Sequence, residues 1–428
     1  MKASRLLLTK WKAGQPMSGK VGAPMSKIDF LPKGYLTLEL RRRLRHDPTN
    51  CYFRFSLTLL SISKIIMGGS PIDLSAITDP STQKSTLTDV EIINGLHRLG
   101  IQLNQPRPEW KRFHWVSTAG PNGLSIAQSI RDLGLLPQDL RSSLSVIGGL
   151  PFQTAMGKCL KYIESYSTLW TLFTKVEPKT SYLRRISIKA DTEGKSRPFA
   201  IMDYWSQSAL TPIHDLLYKL LGEIPEDCTF DQQKGVELMS RFPKSKLFSL
   251  DLKSATDRFP VELQRRILGL LIDPEYAAAW SHVVNGYDFE YQGSPIRWSV
   301  GQPLGAKSSW ALFTLSHHVV VQVAIARAKA RPDCYVLLGD DIVLRGSKVA
   351  TEYLKIMDGL GVEISPAKSH ISKGMFEFAK TWIINKNHIS GFPIKGLYST
   401  FNQISEMIPV IVDIGPMRGY SLPFSTGN

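Results

Sequence analysis

From about residue 240 onward, apolar and polar positions recur with periods that define elements. Lys246 to Leu252 ("KLFSLDL") alternates as a short strand and leaves Asp251 near its end. Pro260 opens a helix that runs to about Ile272 and turns Val261, Ile267, Leu268 and Leu271 inward. Ser308 to about Ala328 carries Trp310, Phe313, Val320, Val321 and Ala324 as a roughly helical stripe, led in by the loop Gly301 to Gly305. Cys334 to Leu338 and Ile342 to Leu344 are apolar runs on either side of Gly339, Asp340 and Asp341, the pattern of a hairpin. A helix follows from Ser347, its expected N-cap, to Leu360, with Gly361 as its stop. The first half is helix-rich, with Ser165 to Phe173 and Gln207 to Leu221 as candidate helices. These elements predict an α+β fold with helices on one face of a small antiparallel sheet. Repeats and low-complexity tracts are absent and Gly and Pro are scattered, which argues for one interwoven domain.

Charge narrows the partners. The 428 residues include 52 Lys and Arg against 37 Asp and Glu, a net +15 with a pI near 9.5. That balance favours a polyanion such as nucleic acid, with a membrane surface as the competing reading. Cys51, Cys159, Cys228 and Cys334 form no CxxC unit, so neither a zinc knuckle nor a disulfide framework is signalled. His317, His318, Gln322 and Arg327 interrupt the longest apolar stretch, and no membrane span is expected. Residues 1–28 carry Lys2, Arg5, Lys10, Lys12, Lys20 and Lys27 without an acid, as an organelle leader or a basic RNA-binding arm would. Arg41, Arg42, Arg43 and Arg45 suit a phosphate backbone or a solvated face.

Two adjacent aspartates on one turn repel each other unless a cation is expected there. Gly and Asp also suit tight turns that need positive φ, so on this stretch alone a plain turn and a cation site both stand. Asp251 changes the picture, because it closes its strand as Asp340 and Asp341 close theirs, and all three can converge at one sheet edge. Two-metal phosphoryl transfer needs such carboxylates to hold a pair of divalent ions, and Mg²⁺ prefers oxygen ligands. Upstream, Arg184, Arg185, Lys189, Lys195 and Arg197 surround Gly194, a set of cations able to neutralise a triphosphate. His317 and His318 are neighbours on a helix and point about 100° apart, so they suit core packing rather than chelation of one ion.

Three stretches in order, "SLDLKSATDR" (249–258), "GQPLGAKSSWALFTLSHH" (301–318) and "LLGDD" (337–341), resemble motifs A, B and C of viral RNA-dependent RNA polymerases, and of mitoviruses in particular. The resemblance extends from about residue 110 to 385. It implies Asp251 and Asp340 as chief ligands of Mg²⁺ or Mn²⁺ with Asp341 assisting, and Asp257 as the acid that recognises the ribose 2′-hydroxyl. Read without the resemblance, Asp257 is a helix N-terminal charge ahead of Pro260. Ser308 and Ser309, after the loop at Gly305, are implied to share ribose or template contact, although the Asn usual in the wider family is absent. "GKSRPFAIMDYWSQ" (194–207) resembles motif F and makes Lys195 and Arg197 triphosphate contacts, with Lys189 weaker. "GPNG", Gly120, Pro121, Asn122 and Gly123, is strong turn chemistry and resembles the template-guiding motif G. "GVEISPAKSHIS" (361–372) resembles motif D, in which Lys368 takes the place of the lysine that protonates departing pyrophosphate. "FEFAKTWI" (376–383) resembles motif E, the primer-grip hairpin.

The resemblance implies a right-handed polymerase that copies single-stranded RNA into product RNA from ribonucleoside triphosphates, located in mitochondria and with no capsid partner. Its parts are a basic N-terminal segment at 1–45, mainly fingers with part of the palm at 46–245, palm with a fingers insertion at 246–385, and a short thumb or remnant at 386–428. A reverse transcriptase would place a bulky aromatic after Asp251 and Ala or Met before Asp340, where this chain has Leu252 to Asp257 and Gly339. A catalytically inactive RNA-binding remnant is the other alternative. Intact Asp251, Asp340, Asp341, Lys195 and Arg197 oppose it, while the short stretch after motif E keeps it open.

Overall fold

The computed structural model describes residues 1–15, 31–32, 34–66, 71–173, 182–191, 193, 195–242, 244–366 and 368–414. Lys20, Lys27 and Gly194 lie outside the described residues. In chain order, β1 (Ala119–Gly120) and β2 (Gly123–Leu124) flank the Pro121-Asn122 turn. β3 (Arg185–Asp191) and β4 (Lys195–Ile201) form an antiparallel ribbon. β5 (Lys246–Asp251) is the strand expected from "KLFSLDL". The hairpin of β6 (Phe289–Tyr291) and β7 (Ser294–Ile296) joins β3 in parallel where Arg185 meets Glu290. β8 (Tyr335–Leu338), β9 (Asp341–Arg345) and β10 (His370–Lys373) complete an antiparallel sheet of order β10-β5-β9-β8. β11 (Met375–Phe378), β12 (Thr381–Ile384) and β13 (Asn387–His388) form a separate meander.

The helix of Ser309–Arg327 runs through the centre of the molecule and packs against the helices of Asp89–Arg98, Thr211–Glu223 and Ser347–Gly359. With neighbours on every side it is buried around its whole circumference, not along the one stripe expected. By length and composition it also passes for a membrane span, with a mean hydropathy of 1.3, which corrects the expectation that no such run exists; 89% of that window is buried inside the protein. His317 and His318 pack in this core and diverge. His317 pairs with the Gly339 carbonyl and the Tyr353 hydroxyl, each at 2.8 Å, whereas His318 meets the Tyr335 hydroxyl at 2.8 Å and Asp227 Oδ2 at 3.0 Å.

Several helix boundaries follow backbone chemistry that periodicity does not report. The candidate at Ser165 to Phe173 is the end of a helical stretch that begins at Gln138 and breaks at Gly149, ahead of Pro151. The stretch from Gln207 to Leu221 is two helices, Tyr204–Ala209 and Thr211–Glu223, divided at Leu210 where Pro212 restarts the second. Ser347 is the first helical residue and not the cap; that position belongs to Gly346, with φ of 95°.

The basic N-terminus forms a helix, Lys2–Lys12, whose Leu7 and Leu8 are buried. Leu8 shares a second core with Phe53, Leu57 and Leu60 and with Met375 and Trp382 of the meander. Leu8→Ala should therefore lower unfolding free energy by about 2–4 kcal/mol in urea titrations. A solvated arm would respond by no more than roughly 0.5 kcal/mol.

Candidate active site

The site grows from the pairing of two strands. In the register of β5 with β9, Asp251 lies directly opposite Asp341, and Leu338 pairs with Asp341 across the turn of Gly339 and Asp340. Leu247, Phe248 and Leu250 anchor β5 in the core and leave Asp251 at its solvent-facing end. Gly339 has φ of 59°, and a Cβ there would stand 2.0 Å from Cη2 of Trp310, so the turn needs glycine on both counts. The three aspartates thus share one end of the sheet because two strands pair in one register.

Electrostatics records the crowding. Burial, and after it the neighbouring Asp251 charge, raises the Asp340 carboxyl above its ordinary range. Burial and the charges of Asp340 and Asp251 push Asp341 up to about 6. Lys368 Nζ donates to Asp251 Oδ2 at 2.5 Å, and the Lys368 loop is tied down where Ser365 N donates to the Asp251 carbonyl at 2.8 Å. Arg197 is close enough that its charge partly offsets the rise at Asp340. A fourth acid escaped sequence reasoning. Glu377 on β11 is pushed up to about 7, by burial first and then chiefly by Asp341. A lone acid between Phe376 and Phe378 was the available signal.

A donor set made only of carboxylates, with Asp340 and Asp341 raised and with Lys368 and Lys380 as the neighbouring lysine charges, suits a hard divalent cation. Among the described residues no three His, Cys, Asp or Glu side chains are gathered closely enough to enclose an ion.

The cationic ribbon is built as β3 and β4, with Lys189 opposite Arg197 and Asp191 opposite Lys195. Arg197 Nε donates to Asp191 Oδ2 at 2.6 Å, and Lys189 is exposed. Arg184 leaves this group: it is buried, donates to the carbonyls of Val283 and Val284, stacks on Tyr287 and Phe289, and is lowered to about 10 by burial. Arg185 is turned to Glu290 at 3.4 Å and to the Pro121 carbonyl at 3.2 Å. Arg184 is the residue just before β3 and Arg185 the first within it, and the two adjacent side chains turn to different neighbours.

Asp257 accepts from Trp298 Nε1 at 2.9 Å, and burial raises its pKa. It lies in the short helix Ala255–Arg258, and its carbonyl accepts from Gly301 N at 3.0 Å, joining it to the loop before the central helix. A Cβ at Gly301 would meet the Thr256 carbonyl at 2.1 Å. In the same loop Gly305 has φ of 116°, and its Cβ would meet the Ala200 carbonyl at 2.3 Å. Gln207, also missed, holds this loop from both sides: it donates to the Gly305 carbonyl and accepts from Lys307 N, each at 2.8 Å. Ser308 and Ser309 are both buried; Ser308 Oγ accepts from Trp280 Nε1 at 2.9 Å, and Ser309 Oγ has no partner among the described residues.

Gly120 pairs with Gly123, and the turn between them is anchored by Asn122, whose side chain donates to Asp132 at 2.7 Å and to the Tyr182 carbonyl at 2.9 Å. It accepts from Tyr182 N at 2.9 Å in return.

An antiparallel sheet with acids at the end of β5 and on the β8–β9 turn belongs to the class of palm-type polymerase folds. Residues 106–422 match the mitovirus RNA-dependent RNA polymerase family, and the chain belongs to that family. It is 33% identical over 340 residues to the RNA-directed RNA polymerase of Cryphonectria parasitica mitovirus 1, a match that covers 76% of this chain and 41% of that protein. The chain therefore spans less than half the length of this relative. An uncharacterized mitochondrial protein of Arabidopsis thaliana is 38% identical over 179 residues, covering 38% of this chain and 70% of that protein. Among solved structures, the RNA-dependent RNA polymerase of a human picobirnavirus is similar with a TM-score of 0.46 and 13% identity, over 82% of this chain and 68% of that one.

The raised Asp341 carboxyl has a defined consequence for stability. Its folded pKa lies above the unfolded value of 3.8, so its contribution is most favourable below about pH 4 and is lost as pH rises through about 6. In metal-free buffer at pH 7, Asp341→Asn should melt roughly 2 °C higher than the native chain, a gain that shrinks toward pH 4. Mn²⁺ should stabilise the native chain at pH 7 and lose that effect near pH 5, as thermal scans with and without the ion will record.

Proposed function

We propose that this chain is an RNA-dependent RNA polymerase that copies single-stranded RNA from ribonucleoside triphosphates. The observation that carries this reading is the β5–β9 register, which sets Asp251 beside Asp341 with Asp340 in the adjoining turn. Membership of the mitovirus polymerase family supports it. In this reading β5, β8, β9 and β10 are the palm, the β3–β4 ribbon belongs to the fingers, and the β11–β13 meander grips the primer. The segment from 386 serves as a short thumb.

Asp251, Asp340 and Asp341 would hold Mg²⁺ or Mn²⁺. Such a pair of ions, when bound, supplies activation of the attacking 3′-hydroxyl and charge neutralisation at the departing pyrophosphate. Lys195 and Arg197, helped weakly by Lys189, take the triphosphate oxygens from the fingers side. The Arg197–Asp191 pair holds that guanidinium on the ribbon until an anion competes for it. Lys368, which donates to Asp251 in this conformation, gives its proton to the leaving pyrophosphate. Asp257, fixed by Trp298, accepts from the ribose 2′-hydroxyl and so selects ribonucleotides.

Ser308 and Ser309 reach the ribose or template only if the loop at Gly305 moves, because Ser308 Oγ is engaged by Trp280 in this conformation. The turn from Gly120 to Gly123, held rigid by Asn122, guides the incoming template strand together with Gly305. The mitochondrial relative in Arabidopsis and the mitovirus family together favour a mitochondrial location.

Labelled ribonucleotides supplied with a single-stranded RNA template and Mg²⁺ or Mn²⁺ should enter template-dependent product, and Asp340→Asn should abolish it. Absence of product from native protein that still binds RNA would instead support the inactive remnant. Lys368→Met should lower kcat on the order of 10²-fold with KM for nucleotide changed far less. An equal fall in nucleotide binding would show that Lys368 binds substrate and does not donate a proton.

A further inference from the structure

The helix of Lys2–Lys12 touches both elements that bring positive charge to the aspartates. On one side Arg5 Nη2 meets Glu193 Oε1 at 2.7 Å, with the two side chains only 16% and 11% exposed. Ser63 Oγ donates to the same carboxylate oxygen at 2.8 Å, and Glu193 N donates to the Ile66 carbonyl at 3.0 Å. Glu193 lies in the turn of the β3–β4 ribbon, between the paired residues Asp191 and Lys195, and has φ of 61°. On the other side Lys10 Nζ donates to the Pro366 carbonyl at 2.9 Å. Gln15 donates to the Ile371 carbonyl at 3.0 Å, and the Ala13 carbonyl accepts from Ser372 Oγ at 3.2 Å. These contacts flank Lys368 on both sides in sequence.

β6 joins β3 only at Arg185, so toward its tip the ribbon is two-stranded, and the cations along it are placed only as well as that tip is held. Here the tip is held by an ion pair removed from water, with a helix behind it that is rooted in the second apolar core through Leu8. We propose that Arg5 and Glu193 are positioning residues and that the N-terminal helix is a brace joining the tip of the β3–β4 ribbon to the Lys368 loop. It sets Lys195 and Arg197 at a fixed distance from the three aspartates for nucleotide binding. The catalytic consequence rests on the polymerase reading; the mechanical one does not.

Charge reversal tests both. Arg5→Glu, Glu193→Arg and the double variant should be compared with the native chain by amide hydrogen exchange over residues 185–201 and by KM and kcat for nucleotide incorporation. Each single reversal should speed exchange in the ribbon by about tenfold and raise nucleotide KM by about tenfold with kcat within about threefold. The double variant should restore both, because the pair is re-formed with its charges exchanged. Native exchange and native KM in the single variants would overturn the brace, as would a double variant that melts like the native chain without restoring either readout. Should a reversal prevent folding, Glu193→Gln removes the charge at nearly constant shape and is expected to move the same two readouts in the same direction. If the native chain incorporates nothing, the polymerase reading falls while the exchange comparison still decides the brace.

Discussion

Three aspartates pressed together at one end of a sheet are the constraint from which the rest of this architecture follows. Like charges at such separation oppose folding, and partial burial worsens the conflict by removing water that would screen them. The protein accepts the conflict because β5 and β9 are buried central strands whose register is specified by the apolar residues between Leu247 and Leu250 and between Ile342 and Leu344. Leu247 and Val343 pack into one core and Phe248, Leu250, Ile342 and Leu344 into another on the opposite face, so a slip of one residue would exchange the two sets, and the sheet holds the acids where electrostatics alone would drive them apart. The central helix completes the support, since His317 bonds the carbonyl of Gly339 and Trp310 fills the space over it.

Around that negative centre the cations arrive on elements outside the sheet. Lys368 comes from the loop before β10, Lys380 from the β11–β12 turn, and Arg197 from the β3–β4 ribbon. The surrounding segments are held through neighbours: Gln207 and Ala200 grip the loop at Gly305, Asn122 pins the β1–β2 turn, and the N-terminal helix engages the ribbon tip and the Lys368 loop. Function in such a site depends on the distance between opposite charges, and those distances are set by residues that touch no substrate.

Much of the centre was legible in the linear chain. Asp251 and the Asp340–Asp341 pair stand at the ends of short apolar runs bounded by turn residues, a local signal that survives into the fold as β5, β8 and β9. Divergence of His317 and His318 was readable from helical geometry alone. The failures share a cause. Arg184 and Arg185 look equivalent in a basic stretch, yet one is buried against Val283, Tyr287 and Phe289 and the other faces Glu290. Ser308 looks like an exposed loop hydroxyl until Trp280 takes it. The apolar surface that encloses the central helix comes from segments far away in sequence.

The sequence by itself determined the chemistry on offer: which acids end strands, which glycines can turn, where a basic ribbon would lie, and a net charge suited to a polyanion. Those properties depend on residue type and short-range spacing. Tertiary structure alone decided which charges meet. It brought Glu377 into the acidic group, Lys368 onto Asp251, and Arg5, 188 residues away in sequence, onto Glu193. Contacts of that kind have no local signature, because they are specified by the packing of whole elements and not by the residues that finally touch.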